Sequence, residues 1–465
     1  MDTKSLLIDE LKSLKDAMIS INEAALGIVF IVDQEKRLKG VLSDGDIRRA
    51  LLSGKTLSTP IKEIVNRNPL KVSESLDEGE LNQILSDENI RQKIPRLGPL
   101  VIPEVDGSGK IINIILLERD GFVRMNESHK FSSRLSKVLV IGGAGYIGSN
   151  LVRDLLGKNY KVKVMDNLTY TDEGIKDIIN HPLVEFIKGD VLNISDVVSA
   201  AEDVDAVIHL AAMVGDPSSQ IKPKETVEVN YFATKNLVEV CKYLGIPRFV
   251  FASTCSVYGF NETMVRESSK LNPLSLYAET KVQSEQAILQ NKNSLFKPTV
   301  LRLSTVYGPS SRMRFDLVVN LLTAKAIFDH EISVYGEGRQ MRPFIDVRDV
   351  SKAIVMVLEA PLEKVGGEVF NVGDDSQNYS IKNVAEIIAK SVPGSKMVFI
   401  KEKEDNRSYF ASFSKIAENL GFKAEHNIED AVKAIKEMAD NGIIKDYRDS
   451  KYSNYKTLKE SSIKL

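Results

Sequence analysis

The sequence predicts an α/β protein: a doubly wound parallel sheet with a smaller C-terminal substrate-binding part, preceded by a small α/β unit. Three observations predict it. From residue 137 to about 435, short apolar runs such as KVLVI (137–141) and RFVFA (248–252) alternate with amphipathic stretches of helical period. A glycine-rich turn joins the first of these runs to its helix. The first 122 residues carry their own weaker repeat, GIVFIVD…KGVLSDGDIRRAL (27–51), echoed by GPLVIPEVD…IINIILLERDGFV (98–123).

At 465 residues the chain is too long for one core, so two or more domains are expected. The boundaries read as a small α/β domain over 1–122, a linker VRMNESHKFSSRLS over 123–136, the long α/β domain over 137–437 and a polar C-terminal tail over 438–465. With 62 Lys+Arg against 64 Asp+Glu, no basic excess points to nucleic acid or an anionic membrane. No apolar run is long enough to span a bilayer. The mixed-charge start MDTKSLLIDELKSLKD is no secretory signal. Two cysteines and five histidines form no metal-ligand pattern, so no metal is expected, and a reducing cytoplasm fits.

KVLVIGGAGYIGSNLVRDLL (137–156) is a strand, a tight turn and a helix. Gly142 permits the turn, Gly145 lets backbone approach a diphosphate, and Gly148 allows close helix–sheet packing. The helix start then offers free N–H groups to phosphate. A second strand ends in Asp166, 24 residues after Gly142. That carboxylate suits ribose hydroxyls and repels a 2′-phosphate, which favours NAD over NADP. The implied domain is of Rossmann type.

Tyr277 and Lys281 in LYAETK stand four apart, on one helical face. A tyrosine working as a base near neutrality must lose about three pKa units, roughly 4 kcal/mol of selective phenolate stabilisation. A lysine ammonium one turn away and a nicotinamide cation are charges that supply it.

The segment 137–437, which holds these residues, resembles an extended short-chain dehydrogenase/reductase of the NAD-dependent nucleotide-sugar epimerase/dehydratase branch. The matching pieces are GGAGYIG, Asp166, Gly189–Asp190, HLAA (209–212), SVYG, YAETK, LRLSTVYGP, RPFIDVRDV and FNVG (370–373). The resemblance implies cofactor contacts from Gly142, Gly145, Tyr146, Ile147, Gly148, Asp166, Asn167, Asp190, Val191, Leu210, Ala211, Ala212, Asn230, Tyr277 and Lys281. It implies a diphosphate clamp from Arg342 and Arg407. Asp316 falls where relatives commonly place an Asn, and a carboxylate near a diphosphate is unfavourable unless it turns away or pairs with Arg314 or Arg339. In FASTCSVYG (251–259) it makes Thr254 the hydrogen-bonding partner of the reacting sugar hydroxyl. The dehydratases of this branch follow that residue with Asp–Glu. Cys255 and Ser256 stand there instead, so elimination of water lacks its acid/base pair. Some epimerases use a cysteine one position later, at Ser256; Cys255 reads as a buried, inert thiol. His209 ends a buried strand and is given no chemical role.

Gly40, Ser43 and Asp46 at a strand-to-helix junction resemble a CBS domain, in the paired form. That resemblance makes an adenine nucleotide the candidate ligand, with phosphate at Ser43 and ribose at Asp46. A purely structural or dimerising module is the alternative. In the second copy Ile114 and Leu117 replace the glycine and the hydroxyl, leaving Asp120.

The expectation is an NAD-dependent nucleotide-sugar epimerase acting at C4 through Tyr277, Lys281 and Thr254, assembled as a homodimer or higher homo-oligomer and regulated by the CBS pair. The rivals are a ketoreductase, an epimerase at C2, C3 or C5, and a nucleotide sensor without catalysis.

Overall fold

The computed structural model describes residues 6–24, 26–74, 78–94, 99–118, 121–125, 135–293, 296–401 and 408–463. The chain forms two compact units, Met1–Arg134 and Leu135–Leu465.

In the first unit, strands Leu7–Asp9, Ile28–Val32 and Leu38–Ser43 form one sheet, and Val72–Ser73, Leu100–Val105, Ile111–Glu118 and Gly121–Met125 form another. The repeat holds for the antiparallel pairs 28–32/38–43 and 100–105/111–118. It fails immediately afterwards. The first pair runs into helix Asp44–Leu52, whereas Gly121–Met125 turns back as a third antiparallel strand. Residues 123–125 therefore belong to a strand, not to the linker expected from 123. Phe30, Val101, Ile114 and Leu116 join the two sheets in one buried cluster.

The second unit is built on seven parallel strands. They are β1 (Lys137–Ile141), β2 (Lys161–Asp166), β3 (Val184–Lys188), β4 (Ala206–His209), β5 (Arg248–Thr254), β6 (Lys297–Leu303) and β7 (Val369–Val372). Their order across the sheet is β3-β2-β1-β4-β5-β6-β7. The central strands are apolar almost throughout because helices cover both faces. On one face lie α1 (Tyr146–Gly157) and a later helix, 347–359, which bury Leu151, Val152, Leu155, Ile354 and Leu358. On the other lie α2 (Ala233–Tyr243) and α3 (Leu276–Gln290), which bury Leu237, Val238 and Ile288.

Strand order reverses between β1 and β4, and a doubly wound sheet opens its ligand crevice at that point. A smaller part, with strands 331–335 and 396–400 and helices 318–328, 381–391 and 428–440, packs around its own core of Val334, Phe344, Ile388 and Val432.

The C-terminal stretch is not a loose polar tail. Ile444, Tyr447, Tyr452 and Leu458 are buried, and α4 (Asn454–Ile463) closes the described chain. The tail reading failed because these apolar residues follow no helical or strand period.

Candidate active site

The glycines after β1 make the cradle. Gly142 sits at φ +84°, and a Cβ there would lie 2.7 Å from the Ala211 nitrogen beyond β4. A Cβ on Gly148 would lie 2.3 Å from the Gly142 carbonyl oxygen, so only glycine lets α1 start this close to the turn. Gly145 is the N-cap of α1 and has no capping side chain, which leaves the first N–H groups of the helix open to an anion.

This turn borders a cavity of about 640 Å³ at the carboxyl ends of the strands, a size in the range of small-molecule sites. Thirteen of the fifteen expected cofactor residues line it: Gly142, Gly145, Tyr146, Ile147, Gly148, Asp166, Asn167, Asp190, Val191, Leu210, Ala211, Ala212 and Tyr277. Asp166 accepts from the Ala144 and Leu168 N–H groups at 3.0 and 2.9 Å, which aims its carboxylate at the turn; burial raises its pKa. Asn167 donates to Asp190 at 3.1 Å, tying the ends of β2 and β3 together.

The other two residues lie behind the wall. Lys281 is buried; its ammonium donates to the Ala252 carbonyl at 2.7 Å and stands 4.5 Å from the Phe251 ring centroid. Burial pulls its pKa down to about 7. Asn230 accepts from Met213 N–H at 2.8 Å and donates to the Met213 carbonyl and to Thr280 Oγ1 at 3.0 and 3.1 Å. Its amide fixes the loop after β4 to α3, and its side chain does not line the cavity.

Thr254 ends β5, and Tyr277 lies in the first turn of α3; both line the cavity. Ser275 caps α3, accepting from Ala278 N–H at 3.3 Å. Thr254 Oγ1 accepts from Ser256 N–H at 3.1 Å, which fixes the hydroxyl at the cavity wall. Tyr277 is half-buried, and burial pushes its pKa up to about 12 against the pull of Thr254 and the Arg314 charge.

Cys255 is fully buried beside these groups; its thiol donates to the Arg302 carbonyl at 3.2 Å, and burial drives its pKa far above the usual thiol value. It cannot reach the cavity as an acid or base. His209 is buried, with Nε2 2.9 Å from Thr234 Oγ1, and burial depresses its pKa to about 3, so it stays neutral.

α3 is locked from behind. Glu285, one turn beyond Lys281, receives Arg302 from β6 at 2.7, 3.1 and 3.2 Å, and Ser253 also donates to it. Tyr277, Lys281 and Glu285 thus share one helical face, and the last of them anchors the first two.

Arg342 stacks on Tyr409, 5.4 Å from the ring centroid, and borders a smaller recess that shares Ser256 and Tyr409 with the main cavity. Arg407 lies outside the described residues. Of the alternatives open to Asp316, the structure shows pairing with Arg314, at 2.9 and 3.0 Å. Sequence reasoning missed Arg312, Asn454 and Leu458, which also line the cavity. Among the described residues no group of three His, Cys, Asp or Glu could hold a metal, and no helix is long and apolar enough to cross a membrane.

In the first unit Ser43 and Asp46 form a reciprocal helix cap. Ser43 Oγ accepts from Asp46 N–H at 3.2 Å, and Asp46 accepts from Ser43 N–H and Oγ at 2.9 and 2.6 Å and from Arg49 at 2.5 Å. A Cβ on Gly40 would lie 2.5 Å from the Asn66 carbonyl oxygen, so packing dictates that glycine. The motif has a full structural account without an adenine nucleotide. Asp120 lies outside the described residues.

A glycine cradle at the strand-order reversal, a carboxylate ending β2 and a Thr–Tyr pair over a buried lysine define a Rossmann-type NAD-binding domain of the dehydrogenase/reductase kind. The NAD dependent epimerase/dehydratase family model matches residues 138–373, about half of the chain, and the protein belongs to that family. The CBS domain model matches residues 1–53, which does not extend to the second half of the expected pair. A UDP-glucose 4-epimerase of Lactobacillus helveticus is 30% identical over 318 residues, 64% of this chain and 94% of that protein. UDP-glucuronic acid decarboxylase 1 of Arabidopsis thaliana is 27% identical over 306 residues, 64% of this chain and 68% of that one. The solved structure of a Bacillus cereus UDP-glucuronic acid 4-epimerase with UDP-glucuronic acid and NAD superposes with a TM-score of 0.60 at 30% identity, covering 66% of this chain and 99% of the other.

Proposed function

We propose that the second unit is a nucleotide-sugar 4-epimerase that works by transient oxidation at C4. The observation that carries this reading is that Thr254 and Tyr277 line the same cavity, next to a position where the thiol of Cys255 is buried and engaged. Bound NAD would supply a hydride acceptor that can return the hydride, together with a positively charged ring. In this reading Tyr277 removes the proton from the C4 hydroxyl and later returns it. Thr254 holds that hydroxyl against the phenolic oxygen. Lys281 contributes charge from beneath the wall, and Arg342 serves the phosphate end of the sugar nucleotide.

Net redox is zero, so no external reductant is consumed. A ketoreductase would need one, and epimerisation at C3 or C5 needs a second acid/base that Cys255 cannot provide from its buried site. The relatives that carry 4-epimerase names support the C4 assignment. The N-terminal unit acts in this reading as a regulatory or assembly module of CBS type. The test is turnover of a panel of nucleotide sugars by the purified chain without added cofactor. Appearance of the C4 epimer supports the reading, and dependence on added NADPH contradicts it.

A further inference from the structure

The C-terminal segment is fastened to the loop that follows β6. Phe315 N–H donates to the Tyr452 carbonyl at 2.9 Å, Asn454 N–H donates to Asp316 at 3.0 Å, and Arg312 donates to Asn454 Oδ1 at 2.6 Å. Tyr447 and Tyr452 meet the Phe315 ring edge-on, with centroids 6.0 and 5.4 Å away. The loop is in turn fastened to the start of α1. Tyr146 Oη donates to the Gly308 carbonyl at 2.7 Å, and Ser310 Oγ lies 2.9 Å from the Tyr146 carbonyl oxygen and 2.8 Å from Ser149 Oγ.

These ties set Arg312 beside the glycine turn. A Cβ built on Gly174 would lie 2.2 Å from the Ala144 carbonyl oxygen and 3.2 Å from Arg312 Cβ, so both crowd the same point. The Arg312 side chain lies over the Tyr170 ring at 4.8 Å, is 3% exposed and lines the cavity. Its neighbour Arg314 is neutralised by Asp316, with two hydrogen bonds. Arg312 has no such partner among the described residues: its hydrogen bond goes to a neutral amide, and its Nε is buried with no acceptor. Asp166, the near carboxylate, is occupied by the Ala144 and Leu168 N–H groups. A buried guanidinium N–H without an acceptor is unfavourable until an anion arrives. The open N-terminus of α1 lies at the same end of the cavity.

We propose that Arg312 is a diphosphate-binding residue of this cavity, and that Asn454, from the C-terminal segment, is the residue that positions it. The segment Ile444–Leu458 is then a wall of the binding site. The diphosphate is that of the dinucleotide or, if the proposed nucleotide-sugar reading holds, that of the sugar nucleotide.

The test uses the full chain stripped of nucleotide, with NAD, UDP-glucose and adenosine as probes in isothermal titration. Arg312→Gln is expected to weaken NAD or UDP-glucose by about 10-fold, the effect of losing a charge-assisted hydrogen bond. Asn454→Ala weakens the same probe by a smaller factor, Arg312→Lys restores part of the loss, and adenosine, which has no phosphate, is unaffected. Loss confined to NAD assigns the cofactor's diphosphate; loss confined to UDP-glucose assigns the substrate's. Failure of wild type to bind UDP-glucose counts against the sugar reading alone, because the NAD arm still decides on Arg312. Unchanged binding of every probe that the wild type binds overturns the proposal. So does an equal loss for NAD and adenosine, which is the mark of a structural role. If Arg312→Gln does not fold, Asn454→Ala and Arg312→Lys answer the same question.

Discussion

Thr254, the last residue of β5, and Tyr277, in the first turn of α3, line the same cavity, so a strand end and a helix start meet at one wall, where Thr254 pulls the Tyr277 pKa down. Without ligand that pull does not make Tyr277 a base, because burial holds its pKa at about 12. Tyr277→Phe is expected to keep NAD binding and to lower kcat by about 10²–10⁴-fold, the range for losing a positioned acid/base. Titration of NAD alongside steady-state turnover checks both halves.

Thr254→Val removes the hydroxyl that pulls the Tyr277 pKa down while keeping a β-branched side chain at a strand end. The pH at which Tyr277 ionises should move up, and kcat should fall about 10-fold or more, with KM changing less. The pH dependence of kcat in both proteins measures this.

Cys255→Ala should retain turnover, because the buried thiol faces the Arg302 carbonyl and not the cavity. Alkylating reagents should leave the folded enzyme active. Rapid inactivation protected by a nucleotide sugar would place a reactive thiol in the site and revive the reading that uses a cysteine as acid/base.

The Arg302–Glu285 pair is 5% and 3% exposed, so removing one partner leaves the other charge buried. Glu285→Gln should cost about 3–5 kcal/mol of stability, read by urea unfolding. The anchor of α3 would loosen, and turnover should fall more than NAD binding.

Lys281 contributes a stability term with a definite sign. Its folded pKa of about 7 lies below its ordinary 10.5, so between those values the unfolded chain holds a proton that the folded chain has released. Stability from this group therefore rises with pH from about 7 to 10.5 and is lowest below 7. His209, depressed to about 3, gives a similar rise that is complete by its ordinary 6.5, so the two windows do not overlap. Urea unfolding of the ligand-free chain at pH 6.5, 8 and 9.5 should show the rise in wild type and lose its Lys281 component in Lys281→Met.

What the sequence made legible was local. Gly142, Gly145 and Gly148 could be read because a strand, a turn and a helix within twenty residues leave one physical account of those glycines. Tyr277 and Lys281 could be read from their helical spacing. Asp166 was marked by a strand end. Other contacts depend on which distant segments the topology brings together. Arg312 meets Asn454 across 142 residues, and no periodicity announces that pair. Asn230 was assigned to the cofactor by resemblance, yet the loop at Met213 takes its amide. Ser43 and Asp46 carry a spacing that serves a ligand motif and a helix cap alike, so spacing by itself does not separate the two.

The most direct test of the central claim is proton NMR of the purified chain with nucleotide sugars in D2O, with no cofactor added. The expected product is a C4 epimer that carries no deuterium on its ring carbons, because the hydrogen removed from C4 is the one returned. Deuterium at C3 or C5, or turnover only when NADPH is supplied, would contradict it.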